Sequence, residues 1–142
     1  MSKSINILTK CHKELDAYDM YDLTESPAIM SLKSLENREL ICVENWLMYQ
    51  TTNNAGESIN VLAIQDSTTG QVYAGQSSTF AAEFEKITAL LPDSQETFWI
   101  EALKRKSKAG RDYMICALVS PAHALARLGN DVPSMPKPKP DK

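Results

Sequence analysis

The chain switches hydrophobic period once and then switches back, and this constrains its fold more than any other feature. ELICVENWLMYQ (39–50) is rich in β-branched and aromatic residues and runs into the polar turn TTNNAGE. SINVLAIQD (58–66) reads as a second strand, closed by Ser67-Thr68-Thr69-Gly70, where the late glycine suits a tight hairpin. QVYAGQS (71–77) is a short third strand. Then FAAEFEKITALL places Phe80, Phe84, Ile87, Leu90 and Leu91 on one helical stripe, with Thr79 or Ser78 as N-cap and Pro92 as the stop. Strand-like patterning returns in TFWIEALKRK (97–106) and RDYMICALV (111–119), joined by the turn SKAG.

The resulting order, β-β-β-α-β-β, predicts an all-β domain with one helix, built as a five-stranded OB-fold barrel whose helix plugs one end. A chain of 142 residues fits one such domain with flanking segments. Residues 1–38 are expected to form an N-terminal arm with a short helix near 13–23, interrupted by Pro27; residues 39–120 form the barrel. Residues 121–142 are expected to form a short helical turn ending at Gly129, then a disordered Pro/Lys-rich tail.

The net charge of −3 conceals a strong asymmetry. Residues 39–103 carry one base, Lys86, against nine acids, whereas residues 104–142 carry nine bases against three acids. Five of those bases, Lys104, Arg105, Lys106, Lys108 and Arg111, lie within eight residues that contain no acid. Gly110 lets this last hairpin turn tightly and approach a ligand. On a barrel the hairpin overhangs the binding face, where ammonium and guanidinium groups neutralise successive phosphates and release counterions. Lysine is also a common guard of exposed hairpins against aggregation, so position in the fold gives the cluster its weight.

Stacking of unpaired bases needs flat side chains at the surface. Trp46, Tyr49, Tyr73 and Tyr113 are the candidates, Tyr73 because alternation puts Val72 and Ala74 in the core against it. Trp99 lies opposite the core set Phe98, Ile100 and Ala102. The first strand is ambiguous, because a bulge there would shift its alternation.

Other chemistries find little support. Cys11, Cys42 and Cys116 are odd in number and widely spaced, which argues for reduced thiols in a cytoplasmic setting. Cys11 and His12 are adjacent and His123 is isolated, so no ligand pair has zinc spacing, and no metal or cofactor is expected. No phosphate-cradling glycine loop and no GxSxG motif is present, so the chain does not read as an enzyme. No apolar window approaches membrane-spanning length, and MSKSINILTK lacks the apolar core of a secretory signal.

Two stretches, DSTTGQVYAGQSSTFAAEFEKI (66–87) and IEALKRKSKAGRDYMICALV (100–119), resemble the phage- and conjugative-plasmid-type OB-fold single-stranded DNA-binding proteins of Gram-positive bacteria. The resemblance covers roughly residues 39–119. It implies that Lys106, Lys108, Arg111 and Tyr113 contact DNA and that Tyr73 stacks. The expected partner is therefore single-stranded DNA, bound with little sequence preference in plasmid transfer or phage and plasmid DNA metabolism; duplex DNA and RNA stay open. Ile5, Ile7 and Leu8 are apolar anchors in the arm, placed to reach a neighbouring copy and drive self-association. The competing expectation is a protein-interaction module acting through the arm and the Pro/Lys tail.

Overall fold

The run expected as the first barrel strand is the spine of a larger sheet in the computed structural model, which describes residues 5–131, the last three by backbone alone. The Pro/Lys tail beyond Asp131 lies outside the described residues. In chain order the elements are β1 (Asn6–Lys10), α1 (Ala17–Thr24), β2 (Met30–Ser31), a 3-10 turn (Leu32–Ser34), β3 (Leu40–Thr52), β4 (Ser58–Asp66), β5 (Val72–Gly75), α2 (Ser78–Leu90), β6 (Phe98–Lys106), β7 (Asp112–Val119) and α3 (Pro121–Asp131).

The strands form one sheet in the order β2-β5-β4-β3-β6-β7. The first part of β3, Leu40–Val43, pairs with β6; further along, Leu47–Gln50 pair with β1. All pairs are antiparallel except β2 with β5. The sheet curls without closing, and β5 and β7 face each other across an open seam. Among the described residues there are seven strands and three helices, where five strands, one barrel helix and short helical stretches near 13–23 and 121–129 were expected. The added strands, β1 and β2, both come from residues 1–38; α1 falls on the expected 13–23 segment, and α3 runs past the expected stop at Gly129 to Asp131. A two-residue strand such as β2 leaves no periodic trace in a sequence.

The arm does more than extend the chain, because α1 covers the outer face of the sheet. Trp46 and Met48 point into the inner core with Leu62, Ile64, Phe80, Phe84, Phe98 and Ile100. Leu47 and Tyr49 point the other way, against Leu23 of α1, Ala63 and Val72. With both faces covered, β3 reads as a continuous apolar run, as buried strands do. This corrects two expectations: Trp46 and Tyr49 are each only 6% exposed and offer no stacking surface. It also inverts a third. Val72 and Ala74 pack in the outer cluster, and Tyr73 leans on the inner core.

A bulge explains the rest of the alternation. Val43 pairs with Asp66 and Trp46 with Ile64, so β3 carries one extra residue, and Val43 and Trp46 both reach the inner core despite their odd spacing. Asn45, inside the bulge, donates from Nδ2 to Gln65 Oε1 at 2.9 Å.

The helix that fills the inner core follows its stripe in part: Phe80 and Phe84 are fully buried, Ile87 nearly so and Leu91 partly, but Leu90 is 80% exposed. Its N-cap is Ser77, whose Oγ accepts from Phe80 N at 3.2 Å. Thr79, an expected cap, instead donates its hydroxyl to Met114 O at 2.8 Å and ties the start of α2 to β7. Cys11, Cys42 and Cys116 are free and buried. Burial first, and the charge of Glu83 second, pushes the Cys116 thiol up to about 12.

An ionic knot fastens α3 to the sheet. Arg127 donates from Nη1 to Glu101 Oε2 at 2.7 Å and from Nη2 to Arg38 O at 2.6 Å. Arg38 Nε donates to the same carboxylate at 2.9 Å. Arg38 sits at φ 71°, where side chains are strained, and its own N–H is held by Ala102 O at 2.6 Å. Burial pushes the Glu101 carboxyl up, but the hydrogen bonds and charges of Arg38 and Arg127 outweigh it and leave the group below its ordinary value. A carboxyl depressed on folding stabilises above its unfolded value, about 4.3, and loses that contribution as pH falls through the folded one. Thermal unfolding followed from neutral pH into the acid range should therefore show a flatter acid limb for Glu101→Gln than for the parent chain.

Candidate nucleic-acid interface

The turn between β6 and β7 is built by backbone geometry. Ser107 N donates to Arg111 O at 2.8 Å, Gly110 N to Ser107 O at 2.9 Å, and Arg111 N to Ser107 Oγ at 3.1 Å. Gly110 adopts φ 85°, a conformation in which any side chain is strained. Behind the turn, Lys104 pairs with Met114, Arg105 with Tyr113 and Lys106 with Asp112. By alternation Lys104 and Lys106 continue the face of Ile100 and Ala102, past the point where the core gives way to solvent.

The open seam of the sheet is a cleft of about 1210 Å³. One wall is Lys104, Arg105, Lys106, Asp112, Tyr113 and Met114. The other is Ala74 and Gly75 of β5, the start of α2 from Gln76 to Thr79, and Ser31 to Lys33 from the 3-10 turn. The parallel β2–β5 pairing brings Lys33 here, and Lys104 Nζ donates to its carbonyl at 3.4 Å.

The cations around the cleft differ in what already holds them. Lys106 Nζ lies 2.8 Å from Asp112 Oδ1, an exposed pair. The hydrogen bond from Lys106, and then its charge, lowers the Asp112 carboxyl below its ordinary value, so Lys106 arrives partly neutralised. Lys33, Lys104 and Arg105 have no carboxylate partner among the described residues. None of the three is held by a carboxylate there, although Lys104 and Arg105 reach backbone carbonyls and the Lys104 charge also acts on Asp112. Lys108 and Arg111 are exposed at the hairpin tip, outside the cleft lining.

Only one expected aromatic lines the cleft. Tyr113 is 37% exposed and sits directly across the ladder from Arg105. Tyr73 is half-buried on the inner core, and burial, then the charges of Glu39 and Asp66, raises its hydroxyl pKa. Of the arm residues, Ile5 packs against the outer cluster, while Ile7 and Leu8 are 45% and 49% exposed beside the irregularity in β1. The polar turn after β3 is internally satisfied, since Asn53 Oδ1 accepts from Ala55 N and Glu57 N at 2.9 and 3.0 Å. Lys33 escaped the sequence reading because it lies 71 residues from Lys104, and nothing but the fold joins them.

A smaller depression of about 200 Å³ lies by the C-terminal end of α2, lined by His12, Lys13, Glu44, Asp93 and Glu96 among others. Its carboxylates outnumber its bases, which suits no polyanion. Among the described residues no three His, Cys, Asp or Glu side chains are grouped to hold a metal ion, and no helix is long and apolar enough to cross a membrane. In comparisons with known proteins, the chain matches no family model, no curated protein and no solved structure.

Proposed function

We propose that this chain is a non-enzymatic binder of single-stranded DNA with little sequence preference, acting in plasmid transfer or phage and plasmid DNA metabolism. The observation that carries the reading is the cleft itself. Three cations without acidic partners, Lys33, Lys104 and Arg105, gather from two distant segments around an open groove that also presents Tyr113. Cations of this kind grip phosphates, and an exposed tyrosine beside them gives unpaired bases a surface to stack on. Strands β3 to β7, with α2 between β5 and β6, run in the order of an OB-fold barrel, whose groove and loops are common oligonucleotide sites.

Anisotropy of a labelled oligo-dT, compared with a labelled duplex at two salt concentrations, tests the reading. Three phosphate contacts at a slope of about −0.7 each make oligo-dT binding roughly 20-fold weaker at about 200 mM salt than at about 50 mM. Tyr113→Ala should cost about 1–3 kcal/mol on oligo-dT, roughly 5- to 150-fold, and leave the duplex unaffected. Equal affinity for duplex and single strand, or indifference to the Tyr113 change, would overturn it. Tryptophan emission is the wrong reporter, because Trp46 is buried and neither tryptophan lines the cleft.

A further inference from the structure

We infer that the outward face of α1 docks into the cationic cleft of a second copy of this chain, so that self-association and nucleic-acid binding exclude each other. The exclusion rests on the DNA reading above; the docking does not.

Leu23 fixes α1 to the sheet, fully buried among Leu47, Tyr49, Ala63 and Val72. The opposite face is bare. Tyr18 is 82% exposed and Tyr21 50%, and the exposed Asp22 and Glu25 share their side of the helix at spacings of three and four. Two tyrosines exposed within one turn make a ready contact surface, since aromatic residues with a polar tip are enriched where proteins meet.

Charge selects the occupant. Between Glu14 and Glu25 the chain carries Glu14, Asp16, Asp19, Asp22 and Glu25 and no base. Asp16 and Asp19 are engaged in the capping box of α1, through Asp19 N to Asp16 Oδ1 at 2.8 Å and Asp16 N to Asp19 Oδ2 at 3.2 Å. Glu14, Asp22 and Glu25 have no cationic partner among the described residues. The cleft has the reverse imbalance: Lys33, Lys104 and Arg105 lack carboxylates. An acidic face with two rings thus meets a cationic groove where Arg105 can stack on tyrosine. The contact forms between copies. Swinging α1 onto its own cleft would lift Leu23 out of the outer cluster and expose it. Because the two surfaces differ, the contact is head-to-tail and propagates beyond a pair unless it closes into a ring.

Sedimentation velocity on the full chain without nucleic acid decides it. At about 50 mM salt the parent chain should grow beyond the monomer as its concentration rises, and at about 500 mM it should return to monomer. Tyr18→Ala combined with Tyr21→Ala should stay monomeric at low salt yet bind oligo-dT at least as tightly as the parent. Asp22→Lys with Glu25→Lys in one chain, and Lys104→Glu with Arg105→Glu in another, should each be monomeric alone and associate when mixed. A parent chain that stays monomeric at low salt, a tyrosine variant that sediments like the parent, or a charge-swapped mixture that stays apart overturns the docking. If oligo-dT binds neither the parent nor the tyrosine variant, the DNA reading alone fails, and the mixing result still decides the docking.

Discussion

Replacing Lys33, Lys104 and Arg105 together by alanine is expected to weaken oligo-dT binding about 100-fold at about 0.1 M salt and to reduce the salt slope by about 2. The magnitude follows from counterion release: each lost phosphate contact on a single strand removes about 0.7 from the slope and roughly fivefold in affinity at that salt. These three are chosen because none is already held by a carboxylate, whereas Lys106 is paired with Asp112. The contrast is Lys108→Ala with Arg111→Ala, which removes two charges from the hairpin tip outside the cleft lining. If binding is localised in the cleft, the tip variant should lose less than about tenfold, even though it would lose about 25-fold were every cation equivalent. An anisotropy titration over several salt concentrations reads both numbers. A triple variant with unchanged slope would remove the cleft from the binding surface, and a tip variant as weak as the triple one would move the grip to the turn.

Lys33 is also a measure of what the sequence could reveal. The alternation of β6 put Phe98, Ile100 and Ala102 inside, and those residues are buried. The stripe of α2 did the same for Phe80, Phe84 and Ile87, but not for Leu90 at the end of the helix. Such local periods are legible because one element fixes them. The basic hairpin was legible for the same reason, being contiguous. What one stretch could not reveal was which faces were covered. Trp46, Leu47, Met48 and Tyr49 are all buried, but their run became intelligible only once α1 lay across the outer face. That cover comes from a segment whose short helix was expected and whose destination was not. Tyr73 was misoriented by the same omission: a strand with one buried face and a strand with two obey different rules. Lys33 reaches the cleft through a two-residue parallel pairing, Met30 with Tyr73 and Ser31 with Ala74, too short to leave a pattern.

The second large effect is on stability, and it falls on Phe84. The ring is fully buried, packed edge-on against Trp46 at 5.2 Å and tilted against Phe98 at 5.8 Å, so it joins α2 to β3 and β6 at once. Phe84→Ala is expected to cost about 3–5 kcal/mol, the transfer term plus the cavity that three elements cannot close. Against a total stability of about 5–15 kcal/mol for a domain, that is a large fraction, and it should lower Tm by roughly 10–20 °C. Phe84→Leu, which keeps most of the volume and loses the edge-on contact, should cost clearly less. Leu90→Ala, on the same helix but 80% exposed, should stay within about 0.5 kcal/mol. Urea unfolding followed by circular dichroism measures all three. The same variants separate stability from binding. The cleft cations sit on β6 and the 3-10 turn, so Phe84→Ala well below its own midpoint should bind oligo-dT within about threefold of the parent, the cavity term having been spent on folding and not on the cleft. A Phe84→Ala protein that is fully folded yet has lost oligo-dT binding would mean that α2, through Ser77 and the Thr79 bond to Met114, sets the spacing of the two cleft walls.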